Sequence, residues 1–251
     1  MKVGYAVLYE NGTLTISKDH TILQKPILEN YGEFEDTDIP WKNESDKIKT
    51  VQILSQVKSN CMRGWFNSCR NLTTLLDFQN LDVSDCKDFS YTFSFCFNLN
   101  SLTFLKDWNV SNGVDFKKMF MKCKSLETLK GLGDWDVSNG ENFYGMFWNC
   151  ENLKSLTSLQ NWNISKGVNF TYMFWNCPNL IVVTTLSKWK FKNIDEIYEI
   201  FSDCTALKLI ELPNTLKILN SDMFRGCNPK LKINWNGKFY TYADLLEYKE
   251  F

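Results

Sequence analysis

The chain has 251 residues, of which 44% are hydrophobic and 15% aromatic, and a formal net charge of −1. This composition supplies ample material for a packed core and excludes a disordered chain. The near-zero charge gives no electrostatic reason to expect nucleic acid or an anionic membrane as a partner, and no apolar run approaches the roughly 18 residues of a membrane span.

Residues 1–50 precede the periodic part of the chain. Val3 to Tyr9 and Thr13 to Ile16 are rich in β-forming residues and flank Asn11-Gly12, which predicts a β-hairpin. We expect this range to cap the N-terminal end of the array, because a first unit otherwise exposes its apolar face. Lys47 to Leu54 is predicted to form the first strand of the array.

Residues 51–228 carry a repeat that is marked by cysteine. One unit reads Phe116-x-x-Met119-Phe120-x-x-Cys123-x-x-Leu126. Its cysteine recurs at intervals of 27 residues, with a last interval of 23, at Cys69, Cys96, Cys123, Cys150, Cys177, Cys204 and Cys227. A fixed period of this length predicts a solenoid, here of about seven coils, in the α/β repeat class.

Each coil is predicted to contain one short strand and one short helix on opposite faces. Phe116, Met119, Phe120 and Cys123 are spaced as on one face of a two-turn helix. The preceding Val110-Ser111-Asn112 offers N-cap side chains for that helix. Leucines that step by three residues, followed by an inward tryptophan, suit a short strand and turns. Residues 229–251 are predicted to form a C-terminal cap with a short helix over Tyr242 to Tyr248.

The combination of Leu-x-x-Leu cores, a Trp-Asp-Val-Ser-Asn turn and a Met-Phe-x-x-Cys ending resembles the BspA-type leucine-rich repeat family of bacterial and protist surface proteins. The resemblance covers roughly residues 50 to 230. It implies a leucine-rich-repeat solenoid, and a function in adhesion or host interaction. That functional implication is an analogy of fold.

The cysteine column has three interpretations. The first is a ladder of buried free thiols, in which cysteine acts as a small apolar filler. The others are an oxidised pair between neighbouring coils, since equivalent positions lie about 5 Å apart, or a metal site, which a straight column of thiols disfavours. Cys61 and Cys86 lie outside the column and are predicted to be the more exposed thiols.

Positions that vary at a fixed register are candidates for binding. The position two residues before the cysteine holds Met121, Trp148 and Trp175, with Tyr144 and Tyr172 predicted nearby. These side chains either form an aromatic patch for a partner or pack over the next coil and widen the core. Lys117 and Lys118, with Lys122, Lys124 and Lys130, either form a solvated face or attract an acidic protein. Hydroxyl residues on the predicted strand face are either solvated sheet or a ligand surface: Thr74, Ser101, Thr103, Thr128, Ser155, Thr157 and Thr184.

Catalytic chemistry has little support. His20 is the only histidine, and Gly131-Leu132-Gly133 lacks the third glycine of a nucleotide loop. The sequence therefore predicts a scaffold that binds a protein partner, without catalysis, cofactor, metal or nucleic acid. An N-terminus without a signal-like segment predicts a cytoplasmic protein, such as an effector or inhibitor of a host or rival defence protein. The alternative is a secreted or cell-surface protein whose export segment was removed.

Overall fold

The computed structural model describes residues 1–192 and 197–247, which form a β-solenoid of about eight turns. At the N-terminal end, β1 (Lys2–Tyr9) and β2 (Thr13–Ser17) form the predicted antiparallel hairpin around Asn11-Gly12. Gly12 has a φ of 84°, a conformation that glycine adopts without steric cost. β3 (Ile27–Glu35) pairs with the other edge of β1.

The hairpin leads directly into the solenoid, because β2 pairs in parallel with β4 (Thr50–Ile53) and β4 with β6 (Thr74–Leu76). The resulting five-stranded sheet has the order β3-β1-β2-β4-β6. A separate small ladder joins β5 (Val57–Lys58) and β7 (Leu81–Asp82). β2 thus stacks on the first coil as a further coil would. The solenoid has about eight turns, about one more than the seven predicted.

A second sheet closes the C-terminal part of the described chain. It has the order β11-β10-β9-β8, formed by β8 (Val182–Val183), β9 (Leu209–Glu211), β10 (Lys232–Trp235) and β11 (Lys238–Thr241). The helix α1 (Tyr242–Glu247) follows directly and lies within the range predicted for a terminal helix. Its predicted last residue, Tyr248, lies outside the described residues.

The predicted strand face is continuous only at the two ends of the solenoid. Between β7 and β8 the described chain contains no named strand; the leucine-rich segments there form turns and the 3₁₀ helices Thr103–Leu105 and Thr157–Leu159. The remaining 3₁₀ helices are Lys42–Lys47, Phe78–Asn80, Thr185–Lys188 and Ser221–Phe224. A leucine at every third residue fits a 3₁₀ turn, in which residues i and i+3 eclipse, better than the predicted strand.

The prediction of a two-turn α-helix before each cysteine is wrong; in the described part of the chain, the one short helix at this position is the 3₁₀ helix Ser221–Phe224 before Cys227. Residues 116–123 form two successive turns, in which the amide of Met119 donates to the Phe116 carbonyl (3.2 Å) and that of Cys123 to the Phe120 carbonyl (3.1 Å). Lys118 and Lys122, each the third residue of its turn, have positive φ values of 53° and 61°. Positive φ at this position is typical of type II turns and breaks an α-helix. We call the two turns a turn pair, and the side of the solenoid that the turn pairs form the turn face.

Alternate amides of each turn pair bind the next coil. Phe116, Lys118, Phe120 and Lys122 donate to the carbonyls of residues 142, 144, 146 and 148 at 2.7 to 2.9 Å. The turn face is therefore a hydrogen-bonded ladder although it has no regular secondary structure. This ladder satisfies the backbone donors that the turns leave free, which burial would otherwise make costly.

The Asx side chain before each first turn orders the turn, and the Val-Ser-Asn segment does not cap it. Asp115 Oδ1 accepts from the Lys117 amide at 2.8 Å, and Asn142 Oδ1 accepts from the Tyr144 amide at 3.1 Å. The asparagine of Val-Ser-Asn instead binds the preceding coil, as Asn139 Nδ2 donates to the Ser111 carbonyl at 2.7 Å. The predicted capping role of this segment is therefore wrong.

The core consists of columns of identical side chains. The phenylalanine three residues before each cysteine stacks on its equivalents, with Phe120 and Phe147 centroids 5.6 Å apart at an interplanar angle of 7°. The tryptophans predicted to point inward are buried, and the Trp162 indole donates to the Leu132 carbonyl at 2.8 Å. Repetition of one packing solution thus fixes the framework from coil to coil.

The seven column cysteines are buried free thiols. From Cys96 onward each thiol donates to the carbonyl of a phenylalanine in the preceding coil; Cys150 Sγ lies 3.3 Å from the Phe120 carbonyl oxygen. The thiol is thus both an apolar filler and a weak donor. Cys61 is half-exposed, but the predicted exposure of Cys86 is wrong: it is buried, and its thiol donates to the Asp88 carbonyl.

Candidate functional site

The turn pair determines which residues of a coil can face a partner. The first and last residues of each turn, such as Phe147 and Cys150, are fully buried, whereas the two corner residues between them carry the variable side chains. Trp148 occupies the first corner of the second turn, and Asn149, with a φ of 59°, occupies the left-handed corner. The positions whose residue type varies from coil to coil are thus the corners of the turns.

The structure brings together the four aromatic residues that the sequence singled out. The Trp148 ring lies 5.2 Å from the Trp175 ring at an interplanar angle of 90°, and 5.5 Å from the Tyr172 ring. The Tyr144 ring meets the Tyr172 ring edge-on at 5.5 Å. All four are half-buried. These residues, 144, 148, 172 and 175, form what we call the aromatic cluster.

Lys117 and Lys118 lie against this cluster. Lys118 Nζ is 5.0 Å from the Trp148 centroid, 5.3 Å from that of Tyr144 and 5.8 Å from that of Tyr91 in the coil on the other side. Lys117 Nζ is 5.3 Å from the Tyr144 centroid. Cation–π attraction of this kind contributes about 0.5–1 kcal/mol at exposed sites. Burial, and secondarily the charge of Lys117, lowers the pKa of Lys118.

Met121 does not face solvent as a contact residue of a patch would. Its exposed fraction is only 6%, although it holds the same register as Trp148 and Trp175. The longer and larger indoles extend past the turn, while the flexible methionine side chain is covered. Met121 is therefore not part of the exposed surface, whereas the two indoles are half-buried, with part of their surface packed on the framework and the rest exposed.

Three aromatic residues of the Cys96 coil extend the surface in a way that the sequence analysis missed. Lys122 Nζ lies 4.8 Å from the Phe95 centroid and Lys124 Nζ 5.5 Å from that of Phe97. Tyr91, Phe95 and Phe97 hold the same registers as Lys118, Lys122 and Lys124 one coil further on. An alignment of the Cys96 coil with the Cys123 coil, residue by residue, would have shown that each of these rings lies next to a lysine.

The side chains of the predicted hydroxyl surface hydrogen-bond mainly to one another. Ser101 Oγ and Thr103 Oγ1 lie 3.0 Å apart, and Ser155 and Thr157 repeat this pair at the same distance. Each serine also accepts from the threonine amide, at 3.3 and 3.2 Å. Hydroxyl groups that are already paired in this way stabilise the local turn. Their positions are explained without a bound ligand.

The residues that the sequence analysis considered for catalysis make local contacts in the structure. His20 stacks on Tyr5 at 5.3 Å and its Nε2 lies 3.1 Å from Asn30 Nδ2. No group of three potential metal-ligating residues occurs among the described residues. Gly131, with a φ of 105°, forms a close turn in which an added Cβ would approach the Leu102 carbonyl.

No helix in residues 1–192 and 197–247 has the length and apolar character to cross a bilayer.

A protein-family model described as "Mycoplasma protein of unknown function, DUF285" matches residues 60–181 and 101–216, together more than half of the chain. The chain belongs to the DUF285 family. With this match, the resemblance of the sequence to BspA-type leucine-rich repeats is confirmed at the level of the repeat. The DUF285 match ends before β10 and begins after β5, so it covers the regular coils, the aromatic cluster and its lysines.

This DUF285 chain also has similarity to solved leucine-rich repeat structures. One is a leucine-rich cell surface protein from Faecalibacterium prausnitzii A2-165, with 16% identity, 95% of each chain covered and a TM-score of 0.32. Another is a leucine-rich repeat protein from Eubacterium ventriosum, with 15% identity, coverage of 94% of this chain and 96% of that one, and a TM-score of 0.21. No curated protein matches the chain.

Proposed function

We propose that this protein is a non-catalytic scaffold that binds a partner protein through the turn face. In this proposal residues 1–50 and 229–251 are caps, residues 51–228 are the repeat solenoid, and the partner contacts Trp148, Trp175, Tyr144, Tyr172, Lys117 and Lys118. Met121, which is buried, is not among the contact residues. No cofactor, metal or nucleic acid takes part.

The observation that carries the proposal is the contrast between two sets of positions in one repeat. The inward positions repeat with the same residue types in coil after coil, whereas the turn corners change from Lys to Tyr to Trp. Four of these corners carry half-exposed rings that form a series of pairwise contacts, with centroids 5.2 to 5.5 Å apart. Clustered aromatic residues at a surface are typical of the centres of protein interfaces.

A function in adhesion or host interaction follows from the resemblance to BspA-type surface proteins and remains part of the proposal. The alternative is a cytoplasmic effector or inhibitor that binds a host or rival defence protein. The thiol column favours this alternative, because six thiols donate to backbone carbonyls, so the described packing uses the reduced form. Identification of the partner separates the two.

The test is affinity capture from the source cells and from their surroundings, with wild-type protein and the double variant Trp148→Ala/Trp175→Ala. The matched control is Phe239→Ala/Leu246→Ala, which removes two exposed apolar side chains at the C-terminal end, 69% and 56% exposed. We expect a partner that wild type and control retain and the tryptophan variant loses. Equal capture by all three folded proteins would refute a binding role for the cluster.

A further inference from the structure

We propose that the occupant of the turn face is an acidic, extended protein segment whose carboxylates lie on a row of lysines and whose apolar side chains lie on the rings at both sides. This inference rests on the proposed function and names the chemistry of its partner. Four lysines of the Cys123 coil form the row: Lys117, Lys118, Lys122 and Lys124. We call them the lysine row.

Three of the four lysines in the row lack an acidic partner at salt-bridge distance in the described chain, unlike some lysines of other coils. Lys58 pairs with Asp85 at 2.7 Å and Lys154 with Glu127 at 2.8 Å. Within the row only Lys124 makes a salt bridge, at 2.8 Å to Glu151. Among the described residues, no carboxylate lies within salt-bridge distance of the other three.

One acidic side chain of this coil, Asp115, offsets part of the charge of Lys117. Asp115 Oδ1 accepts from the backbone amide of Lys117, and burial raises the pKa of its carboxyl group. Two coils before the row, at the position equivalent to Lys124, Arg70 lies 5.5 Å from the Phe97 centroid and adds a further cation. A chain with a net charge of −1 thus places five cations on this part of the turn face, beside two acidic side chains, Asp115 and Glu151.

Rings flank the lysine row on both sides. Tyr91, Phe95 and Phe97 lie one coil before it, and the aromatic cluster lies one and two coils after it. Adjacent coils are about 4.8 Å apart where they hydrogen-bond, so the surface from ring to ring is about 15 Å wide. That width suits one extended chain with its side chains, which alternate between opposite sides.

The arrangement of the rings favours a peptide over a single-stranded nucleic acid. Bases bind by stacking on open aromatic faces. Here Lys118 lies over Tyr144 and Trp148, Lys122 over Phe95, and the two indoles meet edge to face. One face of Tyr144, of Trp148 and of Phe95 is therefore already in contact with an ammonium group, whose remaining N–H groups can donate to carboxylates, while the parts of the rings that no ammonium group covers remain for apolar side chains.

A random-peptide display library, selected on immobilised protein and sequenced, tests the inference. We expect enrichment of peptides that combine Asp or Glu with apolar residues. Their synthetic versions should bind about tenfold more weakly to Lys117→Gln/Lys118→Gln/Lys122→Gln, and more weakly to wild type at high salt. The matched control Lys130→Gln/Lys190→Gln/Lys208→Gln removes three exposed lysines elsewhere and should bind as wild type does.

A second variant, Lys117→Gln/Lys122→Gln/Lys124→Gln, leaves the enclosed Lys118 in place, so a loss of binding can be separated from a loss of local structure. Selection of neutral or basic peptides, no enrichment at all, equal binding by the lysine variants, or tighter binding of single-stranded oligothymidylate would each overturn the inference. Capture that depends on the tryptophans but not on the lysines leaves the proposed function intact and removes this inference alone.

Discussion

The substitution Cys150→Ala tests the thiol column at its centre. The Cys150 side chain is fully buried and its thiol donates to the Phe120 carbonyl oxygen at 3.3 Å. The Phe120 carbonyl also accepts from the Cys123 amide at 3.1 Å, so the substitution leaves no orphaned acceptor. The expected loss therefore comes from lost burial, a cavity and one weak hydrogen bond.

These contributions can be estimated separately. Removal of a buried group the size of a methylene costs about 0.8 kcal/mol. A residual cavity of roughly 25 Å³ adds about 0.6 kcal/mol, and a weak thiol donor a few tenths of a kcal/mol. We expect Cys150→Ala to lower the free energy of unfolding by about 1.5–2 kcal/mol. Cys61→Ala, at a half-exposed thiol, should change it by less than about 0.5 kcal/mol.

Urea unfolding followed by circular dichroism measures both variants, and a shifted midpoint with an unchanged slope is the expected signature. Equal midpoints for Cys150→Ala and Cys61→Ala would refute the reasoning, because they would mean that the column thiols contribute no packing.

Three further predictions concern the turns, the indoles and the thiols. Ser68 has a φ of 65°, so Ser68→Gly should stabilise the protein by about 0.5–1 kcal/mol in thermal or urea unfolding; a loss of similar size would indicate the helix that the sequence suggested. Trp162→Ala, at a buried indole, should cost about 3–5 kcal/mol and Trp175→Ala only about 1 kcal/mol, and similar costs would contradict the assignment of Trp175 to the surface. Burial raises the pKa of Cys86 and of Cys227 to about 12, from an ordinary value of about 9. As the pH rises past about 9, the unfolded chain loses thiol protons that the folded chain retains. The contribution of the thiols to the free energy of unfolding should therefore be constant below about pH 8 and fall from about pH 9 towards 12, by up to about 1.4 kcal/mol per pH unit for each buried thiol. A flat profile up to pH 10.5 would contradict this.

The period of the repeat made the buried framework predictable. A column of cysteine and phenylalanine at a fixed interval has one simple explanation, stacked coils, and the structure has these side chains buried. The hairpin around Asn11-Gly12 was predictable for the same kind of local reason, because its turn demands particular residues.

The conformation inside the coil was not predictable from spacing alone. Apolar residues at i, i+3, i+4 and i+7 are shared by an amphipathic helix and by two successive four-residue turns, whose end residues fall at the same positions. The distinguishing signal was present in the corners: Gly145, Asn149 and Asn176 are residues that tolerate positive φ. Lys122 occupies the same corner in the Cys123 coil, and a lysine does not indicate a positive φ.

Surface detail depended on contacts between coils, which no single column shows. The pairing of Phe95 with Lys122 joins two registers across one coil step. Met121 and Cys86 are buried, which their positions in the sequence did not indicate. The position of the aromatic cluster could be anticipated from the sequence, but its enclosure of Lys118 required the structure.

The number of thiols that react with Ellman's reagent in the native protein tests the account most directly. If the coils stack as described, Cys61 is the one of the nine cysteines that reacts in the folded protein at about pH 8, and it reacts slowly because burial raises its pKa, whereas all nine react after unfolding in urea. Rapid reaction of several thiols in the folded protein would contradict the stacked coils on which both the framework and the turn face depend.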